Sequence, residues 1–156
     1  MVFEELVRAV QSLNVEDAFR VELDGPAWRT FGNYLVRMEF RPGDRLIGEG
    51  DLERTMFFIG QGTAQIFPGT GSGGRVVMLR SGAVVGEASL FRDGPHTANV
   101  EAMTPMVVWA LRLTRFEELV QRSPAIAIEV LRAAGGVLVC RMRAGLNKPN
   151  AAVTLF

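Results

Sequence analysis

The spacing of hydrophobic and polar positions changes twice along this chain. From Phe3 to Leu13 the apolar side chains fall at Phe3, Leu6, Val7, Val10 and Leu13, the spacing of one helical face. A second short helix is predicted over Pro26 to Leu35. Asp24 precedes it, Pro26 occupies its first turn, and Trp28, Phe31 and Leu35 form its inner face. At Val36 the period drops from about 3.6 to about 2. Val36, Met38 and Phe40 now alternate with Arg37, Glu39 and Arg41, as in a half-buried strand. Pro42-Gly43-Asp44 turns the chain into a short strand over Arg45 to Gly48, followed by Glu49-Gly50-Asp51. Thr55 to Ile59 is an apolar strand, and Gly60-Gln61-Gly62 turns it into Thr63 to Phe67.

Pro68 to Gly74 holds four glycines in seven residues and is expected to be a mobile loop. It lacks the lysine and the following helix that a nucleotide P-loop requires. Strand resumes over Arg75 to Leu79, then over Thr97 to Ala102 and Val107 to Leu113, with Thr104-Pro105 between the last two. Roughly eight short strands with glycine turns predict a sandwich or rolled barrel, with Trp109 in its core. After Leu113 the period is helical again. Thr114-Arg115-Phe116-Glu117 reads as a capping box, and Ser123-Pro124 starts a longer helix to about Ala144. Gly135-Gly136 is a soft spot in that helix. Its stripe Leu131, Gly135, Leu138 and Met142 is expected to pack on the barrel or on a partner chain. Pro149, within Asn147 to Asn150, ends it. The expected organisation is helical over 1–35, barrel over 36–113, helical over 114–146, and a tail over 147–156.

Composition narrows the chemistry. With 156 residues and 48% hydrophobic side chains, the chain suits one domain whose core needs no staple. A single cysteine, Cys140, excludes an internal disulfide and a multi-cysteine zinc site, and its apolar surroundings predict burial. The single histidine, His96, excludes a multi-histidine metal site. The acidic N-terminus is unlike a signal peptide, and no apolar run is long enough to span a membrane, so the expected location is the cytoplasm. Basic and acidic side chains balance at 17 each. The mild basic excess beyond Leu111 is a solvated helix face, without the footprint of a nucleic-acid module.

The chemistry-bearing stretch runs from Val84 to Val100. An apolar run stops at Gly86, a residue that allows close backbone approach, and Glu87 follows at once. Glu87-Ala88-Ser89-Leu90 can form one helical turn whose first amides face outward, a setting for phosphate or another anion. Glu87 beside them suits a sugar hydroxyl. Asp93-Gly94-Pro95 then turns the chain back into an extended segment. The stretch therefore suggests a sugar-phosphate pocket. It has no nucleophile–base pair and no second carboxylate near Glu87, so catalysis is not expected.

Taken together, three groups of residues resemble the cyclic nucleotide-binding domain family. They are Phe40, Gly43, Leu46, Ile47, Glu49 and Gly50; then Phe58, Ile59 and Gly62; then Gly86-Glu87 through Pro95, Thr97, Ala98, Val100 and Ala102. The likeness runs from about Val36 to Met142. It implies a mainly β fold, a jelly-roll-like β-roll with N-terminal helices and a long C-terminal helix, whose phosphate-binding cassette would be 84–98. Gly86, Ala88 and Ser89 would offer backbone contacts to a cyclic phosphate, Glu87 would take the ribose hydroxyl, and Thr97 would add a hydroxyl. Val85, Arg92 and Ala98 border the same site. The family places an arginine where this chain has His96. An arginine fork is always charged and pairs with phosphate twice, whereas a histidine gives one contact and is mostly uncharged near neutral pH.

The function implied is a sensor in which cyclic AMP or cyclic GMP shifts the C-terminal helices, with no other cofactor and no metal. The alternative is a degenerate fold that binds no nucleotide and serves as an interaction or structural module. A homodimer through the C-terminal helix, or a fused or partner effector, would read the signal. The C-terminal pattern and Val84-Val85-Gly86-Glu87 are also similar to domains fused to bacterial sulfate-permease-type transporters. No chain follows Leu146 for a helix-turn-helix, so a complete catabolite-activator-type transcription factor is not expected.

Overall fold

The computed structural model describes residues 1–69 and 76–146. Most of the glycine-rich loop and the tail beyond 146 lie outside the described residues. Helix α1 spans Phe3–Ser12 and buries Leu6 and Val10. Helix α2 spans Gly25–Gly32, shorter than the pattern predicts at its end. The Asp24 carboxylate accepts the Ala27 N–H at 2.8 Å, satisfying one of the free amides of its first turn.

Eight strands follow among the described residues: β1 Val36–Phe40, β2 Arg45–Ile47, β3 Thr55–Gln61, β4 Ala64–Pro68, β5 Val77–Leu79, β6 Val84–Val85, β7 Ala98–Ala102 and β8 Met106–Arg112. They form two antiparallel four-stranded sheets, ordered β1-β8-β3-β6 and β2-β7-β4-β5. Registers such as Phe58 opposite Trp109 and Ile66 opposite Val100 place like faces together. This is the predicted roll, flanked by helices at both chain ends.

Side-chain alternation divides the interior into two layers. Phe57 and Ile59 of β3, with Val108 and Ala110 of β8, point between the sheets, where Ile47, Ile66, Val85 and Val100 meet them. Met56 and Phe58, with Val107, Trp109 and Leu111, point the other way and carry the helices. The segment between α1 and α2 has no periodicity, yet it buries Phe19, whose ring stands edge-on to Phe58 at 5.1 Å.

Three expectations need correction. Helix α3 spans Leu113–Arg122 with Arg112 at its cap and no side-chain cap bond, so the Thr114 capping box does not form. Strand β8 runs directly into the helix, and the Leu113 N–H donates instead to the Arg54 carbonyl at 3.0 Å. Helix α4 spans Pro124–Leu146, close to the expected extent and continuous through Gly135-Gly136, but its inner face is not the expected stripe. Its buried face is Ala127, Val130, Ala133, Ala134, Val137 and Arg141; of the expected stripe, Leu131 is half-buried and packs against the core, Gly135 and Leu138 are half-buried, and Met142 is exposed. Small side chains at Ala127, Ala133 and Ala134 let α4 lie close to the domain. Cys140, on the flank of α4, is half-buried rather than buried.

Candidate functional site

The cassette begins where β6 ends. Val85 pairs with Phe57 of β3 and points into the roll. Gly86 then adopts a φ of 81°, and a Cβ there would stand 2.4 Å from the Thr55 carbonyl oxygen. Glycine is required on both counts. The chain passes into one turn of 3-10 helix over Glu87–Leu90, closed by the Ser89 N–H on the Gly86 carbonyl at 3.1 Å. Ala88 is half-buried and Ser89 is buried, the Ser89 carbonyl accepting Arg54 Nε–H at 2.9 Å.

Glu87 is fully buried, between the cassette and α4. Arg141 of α4 donates from Nη1 to Glu87 Oε2 at 2.9 Å, from Nη2 to the Val84 carbonyl at 2.8 Å, and from Nε to Asp17 Oδ2 at 3.0 Å. One planar guanidinium thus joins the cassette, α4 and the segment between α1 and α2. Burial pushes the Glu87 carboxyl above its ordinary pKa, and the Arg141 charge pulls it partly back. Glu87 Oε1 is buried without a hydrogen-bond partner among the described residues.

The far end of the cassette is different. Arg92, Asp93, Gly94 and Pro95 are exposed. His96 is half-buried and held by its backbone, its N–H donating to the Asp51 carbonyl at 2.9 Å and its carbonyl accepting the Gly50 N–H at 2.8 Å. Its ring Nε2 lies 3.0 Å from the Glu53 carbonyl oxygen. The imidazole lines a small cleft with Leu46, Asp51, Glu53, Thr55 and Phe57, and Arg92 is not part of that lining. Thr97 is exposed and accepts the Gly69 N–H at 3.0 Å through its carbonyl, and Ala98 enters the inner layer. The Asn99 side-chain oxygen accepts the Glu49 N–H and Arg45 Nη1–H, both at 2.9 Å, which fastens the 48–53 loop to β7.

The fold brings Gly86 and His96 to a common neighbour, Thr55, and turns Glu87 toward α4. Arg141, Asp17 and Glu53 escaped the sequence reading. Arg141 had a signal: it continues the buried spacing Ala127, Val130, Ala134, Val137 with a charged residue in an apolar stripe.

Residues 37–123 match the family described as the cyclic nucleotide-binding domain, more than half of the chain. The chain belongs to the cyclic nucleotide-binding domain family. Among curated relatives, this cyclic nucleotide-binding domain is 34% identical over 76 residues to the acetyltransferase Pat of Mycolicibacterium smegmatis, covering 48% of the chain and 23% of that protein. It is 32% identical over 85 residues to the potassium/sodium hyperpolarization-activated cyclic nucleotide-gated channel 2 of Mus musculus, covering 54% of the chain and 10% of the channel. The domain thus spans less than a quarter of either relative. A solved cyclic nucleotide-binding domain from Methylobacillus flagellatus superposes with a TM-score of 0.78 at 21% identity, covering 91% of this chain and 79% of that one. That likeness is one of fold. No helix among the described residues is long and apolar enough to cross a membrane.

Proposed function

We propose that this domain is a sensor that takes a cyclic nucleotide, cyclic AMP or cyclic GMP, in the 84–98 cassette and reports its presence through α4. The observation that carries the reading is the Glu87–Arg141 pair, buried at both ends and joining the first residue of the cassette turn to the long helix. Backbone N–H groups of Gly86 and Ala88 serve the cyclic phosphate, with His96 and Thr97 beside it, while the Ser89 N–H closes the turn that presents them, and Glu87 serves the ribose hydroxyl. A ligand hydroxyl on Glu87 changes what Arg141 is bonded to, and differential affinity then shifts the population of helix positions. The domain is regulatory and non-catalytic, and it acts from the cytoplasm on an effector. The relatives supply two precedents, an acetyltransferase and a channel. A sulfate-permease-type transporter is a third candidate setting. A homodimer through the exposed Ile128 and Val139 of α4 is a further route for the signal.

The test is calorimetry with cyclic AMP and cyclic GMP on the wild type and His96→Arg. Asp51 and Glu53 also line the cleft around His96, so a fixed guanidinium there should favour an anion. His96→Arg should bind more tightly by about 1.5–3 kcal/mol, the size of a charged hydrogen bond. Absence of binding by both proteins would sink the sensor reading and leave an interaction module.

A further inference from the structure

The segment 14–23, between α1 and α2, forms an arm without helix or strand. Its apolar anchor is Phe19, seated on Phe58. Its ionic anchor is Asp17, bonded to Arg141 Nε, with the Asp17 side chain 36% exposed. Ala18 is buried beside them, and Val21 and Leu23 pack partly against the same core. An open groove of about 340 Å³ separates Glu16, Arg20 and Glu22 of the arm from Glu129, Arg132 and Gly136 of the helix.

At the inner end of the arm, one guanidinium faces two carboxylates. Glu87 and Asp17 use different N–H groups of Arg141, so both bonds exist together. Their charges nevertheless repel, and the charge of Asp17 contributes to the raised pKa of Glu87. Neutralising either acid removes that repulsion and leaves the cation to the other. The Arg141 fork is held in place by the Val84 carbonyl whichever acid dominates. Glu87 Oε1 is buried without a hydrogen-bond partner among the described residues, so the carboxylate has capacity for one more donor.

We infer that Glu87 and Asp17 compete for Arg141, so that engaging Glu87 at the cassette tightens the 14–23 arm on the domain. Arg141 is then a positioning residue, acting on ligand through Glu87. The arm is a second output, beside α4 itself. The ligand-driven half of the inference rests on the proposed cassette function. The competition itself does not.

The readout is tryptic cleavage after Arg20, which is exposed but lies in an arm that must leave its seat to enter a protease. Cleavage of the Arg20–Val21 bond in the full chain is followed by mass spectrometry, with denaturant unfolding as a check on global stability. Asp17→Asn should speed cleavage about three- to tenfold, a charged hydrogen bond discounted for partial exposure. Glu87→Gln keeps an acceptor for Arg141 while removing the charge, and it should slow cleavage about threefold. A purely structural role for the cluster predicts faster cleavage in both variants. Faster or unchanged cleavage in Glu87→Gln therefore overturns the competition. Whichever of cyclic AMP and cyclic GMP binds in calorimetry should slow wild-type cleavage and have no effect on Asp17→Asn. A bound nucleotide that leaves the wild-type rate unchanged overturns the signalling half. If neither nucleotide binds, the sensor reading falls, and the two variants still decide the competition.

Discussion

The start of the cassette and its far end differ most in burial. Glu87, Ser89 and Leu90 are enclosed, and the Gly86 backbone is pressed against Thr55. Arg92 to Pro95 face water, and His96 is held by main-chain bonds to the 48–53 loop. A buried charge with buried partners is costly to disturb, and an exposed one is not. The start of the cassette is therefore tied to the stability of the domain, while the far end can change with little effect on the fold. Recognition and coupling can then be altered separately.

The strongest way to break this comparison is Arg141→Met. It leaves Glu87 buried without a cation and should cost about 3–5 kcal/mol in denaturant unfolding. A loss below about 1 kcal/mol, the size expected for an exposed pair, would mean that the cluster is solvated in solution. Gly86→Ala comes next. A strained left-handed φ costs about 1–3 kcal/mol, and the overlap with the Thr55 carbonyl adds to it, so a neutral result would contradict the geometry at Gly86.

Acid titration of Glu87 sharpens the comparison further. Its folded pKa is raised by burial, so the folded state binds the proton more tightly than the unfolded chain. Its contribution to stability is greatest below the unfolded value and is lost as pH rises through the folded value. Glu87→Gln should abolish that slope, so the stability difference between variant and wild type should move in favour of the variant from acid toward neutral pH. A difference independent of pH would refute the shift. The smallest effects belong to exposed positions. Arg92→Ala should change stability by no more than about 0.5 kcal/mol. Gly136→Ala, where a Cβ meets nothing within 4 Å, should stabilise α4 by up to about 1 kcal/mol. Destabilisation there would indicate that the helix needs its glycine to move.

Period carried the fold reading a long way. The change from helical to alternating spacing at Val36, and the glycine turns after it, located the strands other than β6 to within about two residues, because one-sided burial leaves a local record, whereas the two residues of β6 are too few to show a period. The misreadings occur where burial is not local. The stripe expected on α4 is Leu131, Gly135, Leu138 and Met142, of which Leu131 packs against the core and Met142 is exposed. Packing on the roll instead selected Ala127, Ala133 and Ala134, which allow close approach. At Thr114 the capping sequence was present, but β8 leads into α3 without a break and Arg54 takes the free amide. In the site, Gly86 and the turn after it were legible because their conformation is written in adjacent residues. The partners of Glu87 were not. Arg141 lies 54 residues away from it, and Asp17 another 124 from Arg141.

Strands β3 and β8 are buried on both sides and separate the two interior layers by the thickness of a single sheet. In close-packed protein such a wall behaves as a diaphragm: filling one chamber displaces the side chains that face the other. Both tryptophans of the chain, Trp28 and Trp109, lie in the helix-side chamber, away from the space between the sheets. The molecule therefore carries its own pressure gauge. Intrinsic fluorescence should respond when the roll is occupied, although neither indole faces the roll interior, and an unchanged spectrum at saturation would mean that the wall does not flex.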